Sequence, residues 1–136
     1  MDFERDAPHW HITSDTVLHE LWCRLMGDGG FDRRSLWLVF LDADAVTLPV
    51  VVPVDDVPPR PEGLEITNLF RLVESMRDDG IAAFAPLLAR PGPAAMTADD
   101  RAWGVALTRI ARERDVAMWP VHLATHGRVQ PMAAAT

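Results

Sequence analysis

The chain contains no lysine, a single cysteine, and no hydrophobic run long enough to cross a bilayer, and each shortage removes a class of explanation. All thirteen lysine-or-arginine positions are arginine, a bias that reflects base composition in the source genome rather than selection for bidentate carboxylate or phosphate contacts. Cys23, having no partner, forms no intrachain disulfide, so nothing argues for an oxidising compartment and a cytoplasmic location is expected. The first residues, Met1-Asp2-Phe3-Glu4-Arg5-Asp6, are acidic where an export signal needs a basic start and an apolar stretch. The longest apolar segments, Leu36 to Leu41 and Val46 to Val54, are too short to span a membrane, and Pro49 and Pro53 interrupt the second, so no membrane partner is expected. Basic surplus is missing too: a net charge of -7 opposes binding to a polyanion, which excludes nucleic acid as a general partner. Gly-x-Ser-x-Gly elbows, phosphate loops and dinucleotide fingerprints are absent.

What is present suits one domain over 1–136, with residues 1–13 as an N-terminal extension and the alanine-rich 133–136 as a frayed tail. Val17, Leu18, Leu21, Trp22 and Leu25 recur at helical spacing between a capping Ser14 and Gly27. After Gly27-Asp28-Gly29-Gly30, the continuous run Leu36 to Leu41 predicts a strand covered on both faces. Val46 to Val54 predicts an antiparallel neighbour whose prolines remove ladder donors and so suit a sheet edge or a bulge. The connector Asp55 to Gly63, dense in proline and acid, reads as an ordered loop or a stiff extended connector, open to a partner. A second helix carries Ile66, Leu69, Phe70, Val73 and Met76 and stops at Gly80, and a short strand, Ile81 to Leu88, meets the breakers Arg90-Pro91-Gly92-Pro93.

Thr97-Ala98-Asp99-Asp100 is a capping box opening a third helix, with Trp103, Ala106, Leu107 and Ile110 inward and Arg109, Arg112 and Arg114 near its end. Two strands, Val116 to Thr125 and Arg128 to Met132, then turn at His126-Gly127. The predicted order is α-β-β-α-β-α-β-β, an α/β (α+β) three-layer domain with a mixed sheet flanked by helices.

The stretch Phe84 to Asp100 resembles the metal loop of the JAMM/MPN+ superfamily, particularly its RadC-like branch, where a strand ends in His-x-His-Pro and a loop leads to Ser-x-x-Asp at a helix start. The resemblance continues into Val116 to Val129, similar to that family's strand carrying Asp-His before a glycine turn. It implies a JAMM/cytidine-deaminase-like architecture and a zinc hydrolase using two His, one Asp and an upstream Glu. Pro91 matches the proline, Thr97 the serine and Asp100 the aspartate, whereas Leu88 and Arg90 stand where the histidines would be. The loop is one residue shorter than the pattern, and no equivalent of the Glu can be placed, although Asp55, Asp56 and Glu62 are nearby in sequence. A zinc ion held by Asp100 alone lacks the three protein ligands catalysis needs, so no metal or other cofactor is expected. The substitution predicts instead that Arg90 turns inward and pairs with Asp100.

Other groupings are weaker. His9-Trp10-His11, and His122 with His126, each offer two imidazoles but no further ligand at metal spacing, and His19 and Cys23 lie one helical turn apart where an inert, partly buried thiol is expected. Of five tryptophans, Trp22, Trp37 and Trp103 fall on apolar stripes, while Trp10 and Trp119 are candidates for an exposed patch with Met118, a homodimer or protein-partner interface. These features favour a non-catalytic interaction or self-association module. The alternative is an enzyme of altered chemistry, or a small-molecule binder, with Arg90, Thr97, Asp100 and His122 lining one cleft.

Overall fold

The computed structural model describes residues 5–6, 10–27, 31 and 33–132; His9, Asp28 to Gly30 and the tail 133–136 lie outside these. In chain order the elements are β1 (Arg5–Asp6), α1 (Asp15–Met26), β2 (Ser35–Leu41), β3 (Thr47–Asp55), α2 (Gly63–Ser75) with a 3-10 turn (Met76–Asp79), β4 (Ala83–Ala89), α3 (Ala98–Glu113), β5 (Ala117–Met118), β6 (His122–Thr125) and β7 (Arg128–Pro131). The strands form one mixed sheet ordered β1-β3-β2-β4-β6-β7, with β5 also beside β4. β2 runs antiparallel to β3 and β4, while β4 is parallel to β5 and β6, so α3 is the crossover between parallel strands.

Why β2 reads as an unbroken apolar run is now explicit. Leu36, Leu38 and Phe40 face one layer and Val39 and Leu41 the other, all fully or almost fully buried. On the first face α2 and α3 bring Ile66, Phe70, Val73, Trp103 and Leu107 against β2 and β4. On the second, α1 brings Leu18, Leu21 and Trp22 against Val39, Leu87 and Ala124. The result is the expected α/β/α sandwich. Ser14 caps α1 by accepting from the Val17 amide, and Gly27 closes it at φ 59°, a left-handed value that costs glycine little.

The short β1 pairs with β3 only at Val50 and Val51, and the β2–β3 register shifts between Thr47 and Val51, the stretch that holds Pro49, so this proline lies at a bulge, one of the two places expected for it. One expected strand needs correction. The strand drawn over Val116 to Thr125 is split: after β5 the chain leaves the ladder at Trp119-Pro120, where the Trp119 amide still donates to the Phe84 carbonyl, and rejoins as β6. β6 is also an inner strand, flanked by β4 and β7. The acidic connector is the ordered loop expected: Val57 is buried, its amide donates to the Arg34 carbonyl and the Trp103 indole donates to the Pro58 carbonyl. Arg109 forms an ion pair with Glu113 and Arg114 with Glu74, which leaves Arg112 as the cation of the last turn of α3.

Phe40 is fully buried and belongs to the larger cluster, where Phe84 meets Phe70 edge to face. Phe40→Ala is expected to lower unfolding free energy by about 3–5 kcal/mol, read from the urea midpoint at unchanged slope.

Candidate functional site

β4 carries Phe84, Leu88 and Arg90 toward the α3 layer and Ala85, Leu87 and Ala89 toward α1, following the two-residue alternation of a strand. Arg90 therefore leaves the strand end beneath the first turn of α3. Its side chain is almost wholly buried, and so is that of Asp100. Nε donates to Asp100 Oδ1 at 2.8 Å and Nη2 to Oδ2 at 2.7 Å, a bidentate fork. Nη1 donates to the carbonyls of Pro91 and Pro93 at 3.0 and 2.9 Å, and Nη2 also donates to that of Ala95 at 3.0 Å. All five N–H donors of the guanidinium are thereby used.

The loop is shaped for this. Gly92 has φ 99°, and a Cβ there would lie 3.3 Å from Arg90 Nη1 while adopting a backbone that L side chains rarely take, so glycine answers both demands. Thr97 caps α3 reciprocally: its hydroxyl accepts from the Asp100 amide at 3.1 Å, and its own amide donates to Asp100 Oδ2 at 2.9 Å. Asp100 thus serves the cap and the ion pair together.

Sequence reasoning missed Arg34. It continues the β2 alternation of Leu36, Leu38 and Phe40, and its Nη1 lies 3.6 Å from Asp100 Oδ1 without a hydrogen-bond partner. That alternation was the available signal. Burial would raise the Asp100 carboxyl, but hydrogen bonds from Arg90 and Thr97 and the Arg90 charge outweigh it and hold the acid below its ordinary value.

His122 does not join this site. It pairs in register with Leu87 and faces α1, on the opposite side of the sheet, with its ring 6.0 Å from that of His19. It is fully buried, Nδ1 lies 3.2 Å from the Pro120 carbonyl and Nε2 has no hydrogen-bond partner. Desolvation chiefly, with the neighbouring His19, lowers its pKa against the opposing influence of the Pro120 carbonyl and Asp15. A single cleft holding Arg90, Thr97, Asp100 and His122 is thus excluded by the geometry.

The remaining candidates separate as well. His126 is exposed on the turn while His122 is buried, and His11 is exposed. Cys23 is exposed rather than partly buried, its sulfur 3.7 and 3.9 Å from the His19 ring nitrogens, and local desolvation followed by the Glu20 charge raises the thiol, the reverse of activation. Trp10 and Trp119 are half-buried against the α1-side cluster, whereas Met118 packs on the other, so the three form no common patch. Asp55, Asp56 and Glu62 are exposed, and Asp56 faces Arg33 at 3.5 Å.

Zinc does not fit the residues here. Leu88 offers no ligand atom, both Asp100 oxygens are taken by a cation, and no group of three His, Cys, Asp or Glu able to hold a metal occurs among the described residues. No helix among them is long and apolar enough to cross a membrane.

Removing one member of the pair strands the other. Arg90→Met and Asp100→Asn are each expected to cost about 3–5 kcal/mol, and the double variant less than their sum, in a urea double-mutant cycle. Arg90→Lys, with three donors for five acceptors, should behave as a loss rather than as a conservative change.

Asp100 and His122, both lowered on folding, shape the acid limb of stability. A depressed carboxyl contributes stability that is full above its unfolded value of about 3.9 and lost as pH falls through the folded value, so Asp100→Asn should flatten the fall below about pH 4. His122, lowered on folding, stabilises above its unfolded value of about 6.5 and loses that contribution as pH falls below it; His122→Leu should flatten the curve between about pH 6.5 and 5. Compared with protein-family models and with curated proteins, the chain matches none.

Proposed function

We propose that this chain is a JAMM/RadC-like domain that has exchanged its metal centre for an internal ion pair and acts without catalysis, as a protein-interaction or self-association module. One observation carries the reading: the position where such a domain would hold zinc is filled by the Arg90 guanidinium, saturated by Asp100 and the Pro91–Ala95 carbonyls. An altered-chemistry enzyme needs an accessible acid with a perturbed pKa beside a second titratable group. Asp100 is inaccessible and held ionised, and His122 lies across the sheet. A ligand replacing zinc in the same cleft meets the same obstacle, because no donor of Arg90 is free. Among the described residues the exposed large apolar side chains are Leu72 on α2 and Val105 on α3, which give contact points on the helical layer.

The test is bound metal per chain and solution mass, measured on protein purified without chelator or affinity-tag nickel. A metal-free, self-associated chain is expected; stoichiometric zinc overturns the non-catalytic reading. Leu88→His/Arg90→His tests the resemblance separately, since both positions face the α3 layer: the folded variant should take up zinc that Asp100→Asn then removes. A folded variant without zinc affinity sinks the family reading.

A further inference from the structure

At the opposite end of β4 from Arg90, an open cavity of about 770 Å³ lies between the 3-10 turn, the last turns of α3 and the paired starts of β4 and β5. Its volume falls within the range of small-molecule sites. The floor is apolar and largely buried, made by Ile81, Ala111 and Val116, with Met118 half-exposed beside them. Two arginines, Arg77 and Arg112, are among the residues that line it.

The arginines need a reason for being there, and capping α3 is insufficient. Three of the last four carbonyls of the helix are already occupied: Ala111 accepts from the Val116 amide, Ile110 from that of Arg114 and Arg112 from that of Asp115. Arg112 is exposed and forms no ion pair among the described residues. Arg77 is held in place by Nη2, which donates to the Asp115 carbonyl at 2.6 Å. That carbonyl belongs to a non-glycine residue at φ 55°, in the turn that joins α3 to β5. Two guanidiniums against the single Asp115 carboxylate leave the lining one positive charge, in a protein whose net charge is -7.

We infer that this cavity binds a small organic monocarboxylate, its apolar body on Ile81, Val116 and Met118 and its carboxylate on Arg112 and Arg77. One excess charge fits a monoanion better than a phosphate dianion, and the apolar floor gives a purely inorganic anion nothing to cover. Thr108, on the same face of α3, supplies a hydroxyl at the wall. The site is independent of the Arg90–Asp100 pair, so it stands or falls apart from the interaction reading.

The test is titration of the isotopically labelled full chain with sodium benzoate, followed by amide NMR shifts. Saturable shifts centred on Ala111, Val116 and Ala117 are expected, with a dissociation constant on the order of 1 mM, as befits a fragment-sized ligand. Arg112→Gln and Arg77→Gln should each weaken binding about 5-fold or more, while Arg101→Gln, at the other end of α3, leaves it unchanged. Benzyl alcohol and inorganic phosphate should each bind more weakly than benzoate. Failure to saturate by about 10 mM, shifts centred elsewhere, equal binding of benzyl alcohol, or tighter binding of phosphate alone would each overturn the assignment. Amide spectra of the variants report whether they fold, and the benzyl alcohol comparison on the unmodified chain decides the charge requirement without any substitution.

Discussion

A guanidinium buried in a protein interior is tolerable only if its charge is balanced and its donors are all met, and at Arg90 both conditions hold. Much of the surrounding structure follows from meeting them. The Pro91–Ala95 loop must turn three carbonyls inward, which two prolines without amide hydrogens and a glycine at positive φ permit. Asp100 must sit at the third position of α3, where the same carboxylate closes the cap on Thr97. The start of the helix, the path of the loop and the end of β4 are consequently one cooperative unit. Such a unit specifies geometry more than it adds stability, since desolvating the two charges offsets most of their attraction.

The sheet divides the molecule into two unlike compartments. The α2/α3 side holds the larger apolar cluster with the ion pair at its margin. The α1 side is smaller and contains the buried imidazole of His122 and, in Trp22 Nε1, a buried indole N–H without a partner. The -7 charge is thus a property of the surface, and the interior polar chemistry is local to the two sheet faces.

Most of the fold was legible because its signals are local and periodic. The helical spacing of α1, the capping box at Thr97 and the two-sided run of β2 depend on neighbours in sequence, and each element lies where those patterns put it. The inward turn of Arg90 toward Asp100 was also legible, from the resemblance of this stretch to a metal loop in which the two positions would meet. What escaped was set by pairings distant in sequence. Nothing local says that the chain leaves the ladder at Trp119-Pro120 before His122, so the side of the sheet that His122 faces could not be read, and it was grouped with Asp100 wrongly. Arg34 was overlooked for a different reason: it lies one residue before the strand, where apolar alternation ends and a charge reads as loop.

The ion pair between Arg90 and Asp100 spans only ten positions along the chain, and every other acceptor of the guanidinium lies within that interval. Closing so short a loop forfeits little chain entropy compared with the long-range pairing of β2 with β4, so the contact lies among those the unfolded chain can sample early. An arginine fork can thereby set the approach of strand to helix from within the folding polypeptide, whereas a metal centre relies on an ion taken from solution.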